Sequence, residues 1–117
     1  FLFTGDLEEE GEESLVERNQ LPKVDVYKAG HHGSSTSSSE AFLSAVSPRY
    51  AVISCGKDNS YGHPHSETLE RYAARGLVVY RTDKEGDVIL QSDGETLYRS
   101  SKDPSTPLEK ILAAIFR

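Results

Sequence analysis

The sequence is poor in the features that cross-link a chain, carry it through a bilayer or clasp a polyanion. It has one cysteine, Cys55, so no internal disulfide can form. Cys55 lies in the apolar run Ala51-Val52-Ile53-Ser54-Cys55 and reads as a small buried hydrophobe; a thiolate nucleophile or metal ligand is the alternative. No stretch approaches the ~20 apolar residues needed to span a bilayer, and no signal peptide is visible. Basic residues are the minority charge: 13 Lys and Arg stand against 19 Asp and Glu, a net charge of −6. A surface built to grip a nucleic-acid backbone wants clustered Lys and Arg, so this balance argues against one. It leaves room for a nuclease whose cations supply the positive charge. With 117 residues, 36% hydrophobic and 27% charged, the chain is an ordinary soluble globular domain, and one domain rather than two.

Apolar periodicity and turn residues divide the chain. Phe1 to Thr4 reads as a buried strand that opens without turn, cap or polar lead-in, as if a domain were cut there. Glu8 to Asn19 reads as a helix whose acidic first turns suit the positive end of its dipole and whose acidic run forms a solvated face. Val24 to Ala29 alternates as a strand does. A Gly/Ser/Thr loop from Gly30 to Ser38 follows, most of it a flexible linker. Ser39 then caps a short helix broken by Pro48. Arg49 to Cys55 is a strand, Gly56 to Pro64 a polar loop, and Ser66 to Arg75 a Ser-led helix stopped by Gly76. Leu77 to Tyr80 and Val88 to Leu90 are strands, the second reached through a Lys84-Glu85-Gly86 turn. Asp93-Gly94 turns a hairpin into Thr96-Leu97-Tyr98. Residues 1–100 form one unit; residues 101–117 read as a linker and an amphipathic helix, Leu108 to Phe116. The alternation predicts an α/β layered domain.

Three loops, each between a predicted strand and a predicted helix, carry the chemistry: Thr4-Gly5-Asp6, Gly30-His31-His32-Gly33-Ser34 and Tyr61-Gly62-His63-Pro64-His65. Loops at the carboxyl ends of strands in such sheets converge on one crevice. All four histidines lie in the last two loops. Imidazole and carboxylate are ligands that zinc, manganese and iron accept, and a carboxylate can bridge the two cations of a hydrolytic site. Each motif alone has a plainer reading: Gly-Asp as a turn or cap, His-His as surface residues, His63 and His65 as packing around Pro64. Ser34, directly after His32-Gly33, is a candidate to hydrogen-bond a ligand or phosphate.

The segments FTGD, KAGHHGSSTSSSEAFLSAVSPRYAVIS and YGHPHSETLERY together resemble the C-terminal part of the metallo-β-lactamase-like domain of ComEC competence proteins. They are also similar to the phosphorylcholine esterase and ribonuclease Z branches of that superfamily. The resemblance covers roughly Phe1 to Ser100. It implies the C-terminal half of an αββα sandwich, a mixed sheet with helices on one face, and a site for two divalent ions, Zn or Mn, in the full domain. On that resemblance Asp6 is the bridging aspartate, and one of His31 and His32 is a metal ligand, with His32 slightly favoured. Adjacent residues of an extended segment point opposite ways, so the other histidine would contact substrate or move a proton. His63 and His65 fall in the loop that supplies a ligand or a general acid.

The resemblance also has a gap. The family's HxHxDH ligand motif belongs to the N-terminal half and is absent from this chain. Little or no metal is therefore expected to bind this chain alone. The expected reaction of the parent is phosphodiester hydrolysis, with DNA as substrate during uptake. A small phosphoester, thioester or lactone hydrolase is the first alternative, and a non-catalytic interaction module the second. The expected partners are the missing N-terminal half, the substrate, and a second copy of the chain. That copy would meet an exposed sheet face drawn from Phe1, Phe3, Val24, Val26, Val52 and Ile53, unless Leu108, Ile111, Leu112, Ile115 and Phe116 cover it. By resemblance the parent is a membrane protein with this soluble domain outside the cytoplasm.

Overall fold

The computed structural model describes residues 1–100 and 109–112. Four short strands form a parallel sheet in chain order: β1 (Leu2–Phe3), β2 (Val26–Lys28), β3 (Tyr50–Ile53) and β4 (Val78–Arg81). A helix follows each of the first three: α1 (Glu9–Glu17), α2 (Glu40–Val46) and α3 (Ser66–Ala74). A short helix α4 (Thr82–Glu85) leads from β4 to a second, antiparallel sheet of β5 (Ile89–Ser92), β6 (Leu97–Ser100) and β7 (Glu109–Leu112). Strands of both directions are thus present, segregated into two sheets.

The two sheets explain which residues are buried. Side chains alternate across a strand. Tyr27, Ala51 and Ile53 point to the helical side and pack with Phe42, Leu43 and Val46 of α2 and Tyr72 of α3. Val26, Tyr50 and Tyr80 point the other way and pack with Leu97, flanked by Val52, Val88 and Leu90. Tyr80 stacks on Tyr50 at 6.1 Å, and Arg99 lies over the Tyr80 ring at 4.6 Å. The parallel sheet is therefore covered on both faces, as parallel sheets generally are.

That covering corrects two expectations. Val24 and Ile53 belong to the helix-side core, and Val26 and Val52 meet the antiparallel sheet. Of the residues assigned to a bare face, only Phe1 (54% exposed) and Phe3 (72%) remain open, just before and on edge strand β1. They border a shallow apolar groove with Leu2, Val26, Val52, Val88 and Leu90. Residues 109–112, read as helix, form strand β7, with Glu109 opposite Arg99 and Lys110 opposite Tyr98. A short apolar run fits either period, and here pairing with β6 decides it. Leu108, Ala113–Phe116 and the linker lie outside the described residues. The Lys84-Glu85-Gly86 turn is the end of α4, and Gly86 closes it.

The serine run is the larger correction. Its segment from Ser34 to Ser39 is a fixed loop, not a linker. Ser37 and Ser38 are fully buried. Glu12, also fully buried, accepts the Ser38 N–H at 2.6 Å and the Ser39 N–H at 2.9 Å. Glu12 is the member of the acidic run that the solvated-face reading misplaces. The Ser38 hydroxyl bonds both the Tyr27 phenol (3.0 Å) and the Tyr72 phenol (2.7 Å). Arg71 of α3 donates to the carbonyls of Ser35, Ser37 and Ser38. Ser39 caps α2 by accepting the Phe42 N–H, as read from sequence.

Candidate functional site

The three loops beyond β1, β2 and β3 are joined by backbone bonds. The His31 N–H donates to the Gly5 carbonyl at 2.8 Å, linking the first loop to the second. The His65 N–H donates to the Gly33 carbonyl at 3.0 Å, linking the second to the third. Gly33 is required at that junction. Its φ is +82°, and a Cβ there would sit 2.7 Å from the Cβ of Pro64.

All four imidazoles meet at this rim. Ring centroids lie 6.3 Å apart for His31 and His32, 5.7 Å for His31 and His63, 5.9 Å for His32 and His63, and 4.9 Å for His63 and His65. The Gly30–Gly33 segment is a tight turn, not an extended strand. His31 (φ 49°, ψ 44°) and His32 (φ 57°, ψ 27°) are both left-handed. The alternation argument for opposite ring directions therefore fails, because it holds only for extended chain. Both rings approach His63. Consecutive left-handed residues other than glycine cost free energy, and such strain collects at functional sites.

Hydrogen bonds distinguish the four rings. The His32 Nδ1 lies 2.8 Å from the Ser54 carbonyl. A carbonyl only accepts, so Nδ1 carries the proton and Nε2 presents a lone pair. This is the arrangement that prepares an imidazole to ligate. His65 is the opposite case. Its Nδ1 accepts the Ser35 N–H at 2.9 Å and its Nε2 lies 3.1 Å from the Tyr61 carbonyl. Both nitrogens are committed to backbone, in the neutral Nε2–H form. His65 is thus built as a tie between two loops and has no nitrogen left for a metal or a leaving group. It also precedes α3 as the residue at the cap position, and the helix begins at Ser66 as read from sequence.

His63 is held by its backbone: its N–H donates to the Asn59 Oδ1 at 2.9 Å, and its carbonyl accepts from the Asn59 amide at 2.7 Å. Among the described residues no hydrogen bond reaches its ring nitrogens. Desolvation, then the neighbouring His65, His31 and His32, hold its pKa below the usual imidazole value. His63 is therefore neutral at physiological pH. His31 Nδ1 faces Thr36 Oγ1 at 3.4 Å and Glu8 Oε1 at 3.6 Å.

The remaining candidates are placed differently. Asp6 is exposed, in a cleft shared with Glu8, Glu9, Glu10, Ser35 and Thr36. The carboxylate that meets His31 is that of Glu8. Ser34 is 3% exposed, and its hydroxyl is used within the loop, by the Thr36 N–H (3.2 Å) and Thr36 Oγ1 (2.9 Å). It lies beneath the rim rather than on it. The Cys55 thiol is pushed up, first by burial and then by Asp83, and is protonated at neutral pH. Reasoning from sequence missed Glu8, Asn59 and Arg71. Only Asn59 left a signal, as an amide four residues before His63 in a turn-rich loop.

Among the described residues no group of three or more His, Cys, Asp and Glu side chains is arranged to hold an ion, and His65 is spent on backbone. A structural zinc takes four ligands and a catalytic one three. His32 offers one prepared nitrogen, with His31 and His63 beside it.

The metallo-beta-lactamase superfamily profile matches residues 1–57, which include His31 and His32. ComE operon protein 3 of Bacillus subtilis is 42% identical over 88 residues, 75% of this chain and 11% of that protein. Competence protein ComA of Neisseria gonorrhoeae is 51% identical over 88 residues, 73% of this chain and 12% of that protein. Recombination protein 2 of Haemophilus influenzae is 41% identical over 87 residues, 74% of this chain and 11% of that protein. The chain thus spans about a tenth of the length of these relatives. The α/β architecture, the histidine-bearing strand-end loops and these similarities agree: residues 1–57 match the metallo-beta-lactamase superfamily, and about three quarters of the chain is similar to competence and recombination proteins.

Proposed function

We propose that this chain supplies the histidine side of a hydrolase site that cleaves phosphodiester bonds, with DNA taken up during competence as the substrate. The observation that carries the reading is the meeting of His31, His32 and His63 at one rim, with centroids 5.7–6.3 Å apart. Three imidazoles converging at one rim offer lone pairs and N–H donors to the oxygens of a phosphate. His32, oriented by Ser54, would bind. His63, unpartnered at its ring, would exchange hydrogen bonds with the attacking or leaving oxygen. His65 would keep the third loop in register.

Two divalent ions, Zn or Mn, would in this reading be held mainly by residues outside this chain. Those residues would pack near Phe1 and Phe3 at the open edge of the parallel sheet. A second copy of the chain is the other candidate for that edge. The parent would be a membrane protein with this domain outside the cytoplasm. Among the described residues no helix is long and apolar enough to cross a membrane.

A second reading, hydrolysis of a small phosphoester or thioester, is favoured by the acidic cleft of Asp6, Glu8, Glu9 and Glu10 beside the rim. That cleft would repel a long polyanion. Turnover of single-stranded DNA and of bis-p-nitrophenyl phosphate, by the chain joined to the preceding half-domain, separates the two. Preference for DNA supports the first reading and cleavage of the small ester alone the second. No turnover of either with added Zn²⁺ or Mn²⁺ defeats both and leaves an interaction module.

A further inference from the structure

Tyr61 stands beside the histidines, and the proposed hydrolysis gives it no task. The residue is 76% exposed, more than Phe1, Phe3 or Val78, the other large hydrophobic residues left open among those described. An aromatic ring in water forgoes the free energy of burial. The surrounding loop holds it there. The Asn59 amide donates to the Gly56 carbonyl (2.9 Å) and the His63 carbonyl (2.7 Å), closing the loop. The His65 ring N–H ties down the Tyr61 carbonyl at 3.1 Å. One face of the ring lies over His63, with centroids 5.6 Å apart and planes inclined by 20°. The pair borders a cleft of about 180 Å³, completed by His32, Cys55, Gly56 and Asn59. Whole small-molecule sites start near ~300 Å³, so this cleft suits one planar ring rather than a complete nucleotide.

We infer that Tyr61 and His63 form a stacking platform for an unpaired base of a single-stranded nucleic acid; this rests on the phosphodiesterase reading, which places the adjoining phosphate over the rim. Every base has a π-face, so such a platform accepts any sequence. A duplex does not use it, because its bases are already stacked. The charge of the chain supports this division of labour. With a net charge of −6 and Glu8 on the far side of His31, cationic grip on the backbone is weak. Affinity then comes from the base and depends little on salt.

The test is binding of the 117-residue chain to a short oligothymidylate and to an abasic strand of equal length, read by fluorescence anisotropy. The base-bearing strand is expected to bind more tightly. Tyr61→Ala should weaken it about 5- to 140-fold, the span of one lost stack, and leave the abasic strand unaffected. Tyr61→Trp should retain or improve binding. Tyr61 is exposed, so circular dichroism should show both variants folded. Equal affinity for the two strands, no binding of either, or an indifferent Tyr61→Ala overturns the platform. Cleavage of the same strands by the extended domain is scored separately. Cleavage without base-dependent binding removes the platform and leaves the hydrolase; base-dependent binding without cleavage does the reverse.

Discussion

Two polar regions lie side by side in this molecule and are treated in opposite ways. Beneath the serine loop, Glu12, Ser38, Tyr27, Tyr72 and Arg71 are joined in a closed set of bonds. Burial, then Tyr27, pushes the Tyr72 phenol well above its usual range, and burial likewise raises Tyr27, so both stay neutral donors. At the histidine rim, His63 finds no hydrogen bond for its ring among the described residues, and His31 has only long contacts at 3.4 and 3.6 Å. Buried polar groups that are fully satisfied make a rigid frame. Half-exposed ones left wanting are available to something else. The contrast separates scaffold from site.

Substitutions can break or sharpen that contrast. Glu12→Ala should have the largest effect, because it strands the buried Ser38 and Ser39 N–H groups. A loss of about 3 kcal/mol is expected from two hydrogen bonds to a charged group, measured by urea denaturation. A loss under about 1 kcal/mol would mean that this network is not the frame. Gly33→Ala, which forces a Cβ onto Pro64 at positive φ, should cost about 2 kcal/mol.

A pair of rim substitutions sharpens the comparison. His65→Ala should cost about 1–2 kcal/mol through its two backbone bonds, whereas His63→Ala should stay within about 0.5 kcal/mol. Nitrogen-15 spectra should show His65 as the Nε2–H tautomer; an Nδ1–H signal would refute the tie. The smallest effect is with pH. The folded pKa of His63 is depressed, so the unfolded chain takes up its proton first as pH falls. Stability from this group is complete above the unfolded value near ~6.5 and declines as pH drops towards the folded one. The urea midpoint should therefore fall from pH 7.5 to 5.5 by less in His63→Gln than in the native chain.

Much of this was readable from the residues because it depends on local signals. The order of strands and helices from β1 to β4, the Ser39 cap, the Gly76 stop and the Asp93-Gly94 hairpin follow from period and turn chemistry. The clustering of histidines in strand-end loops also stands in sequence. What escaped depends on distant partners. Nothing near Glu12 announces that its carboxylate will meet amides 26 and 27 residues away. His65 reads as reactive until Ser35 and Tyr61 are seen to occupy both nitrogens. Strand β7 looked helical because four residues cannot declare a period, and the partner strand settled it.

The paired left-handed geometry at His31 and His32 carries one more lesson. It bends two neighbours, which would otherwise diverge, into a pincer closing on a single point. Straightening position 31 with a β-branched residue, or slipping one extra residue between the pair, would swing a ring to the opposite flank of the chain. The imidazoles at 32 and 63 would survive, yet the meeting of the rings at one rim would be undone. Handedness of the main chain is as much an ingredient of this site as the nitrogen atoms it displays.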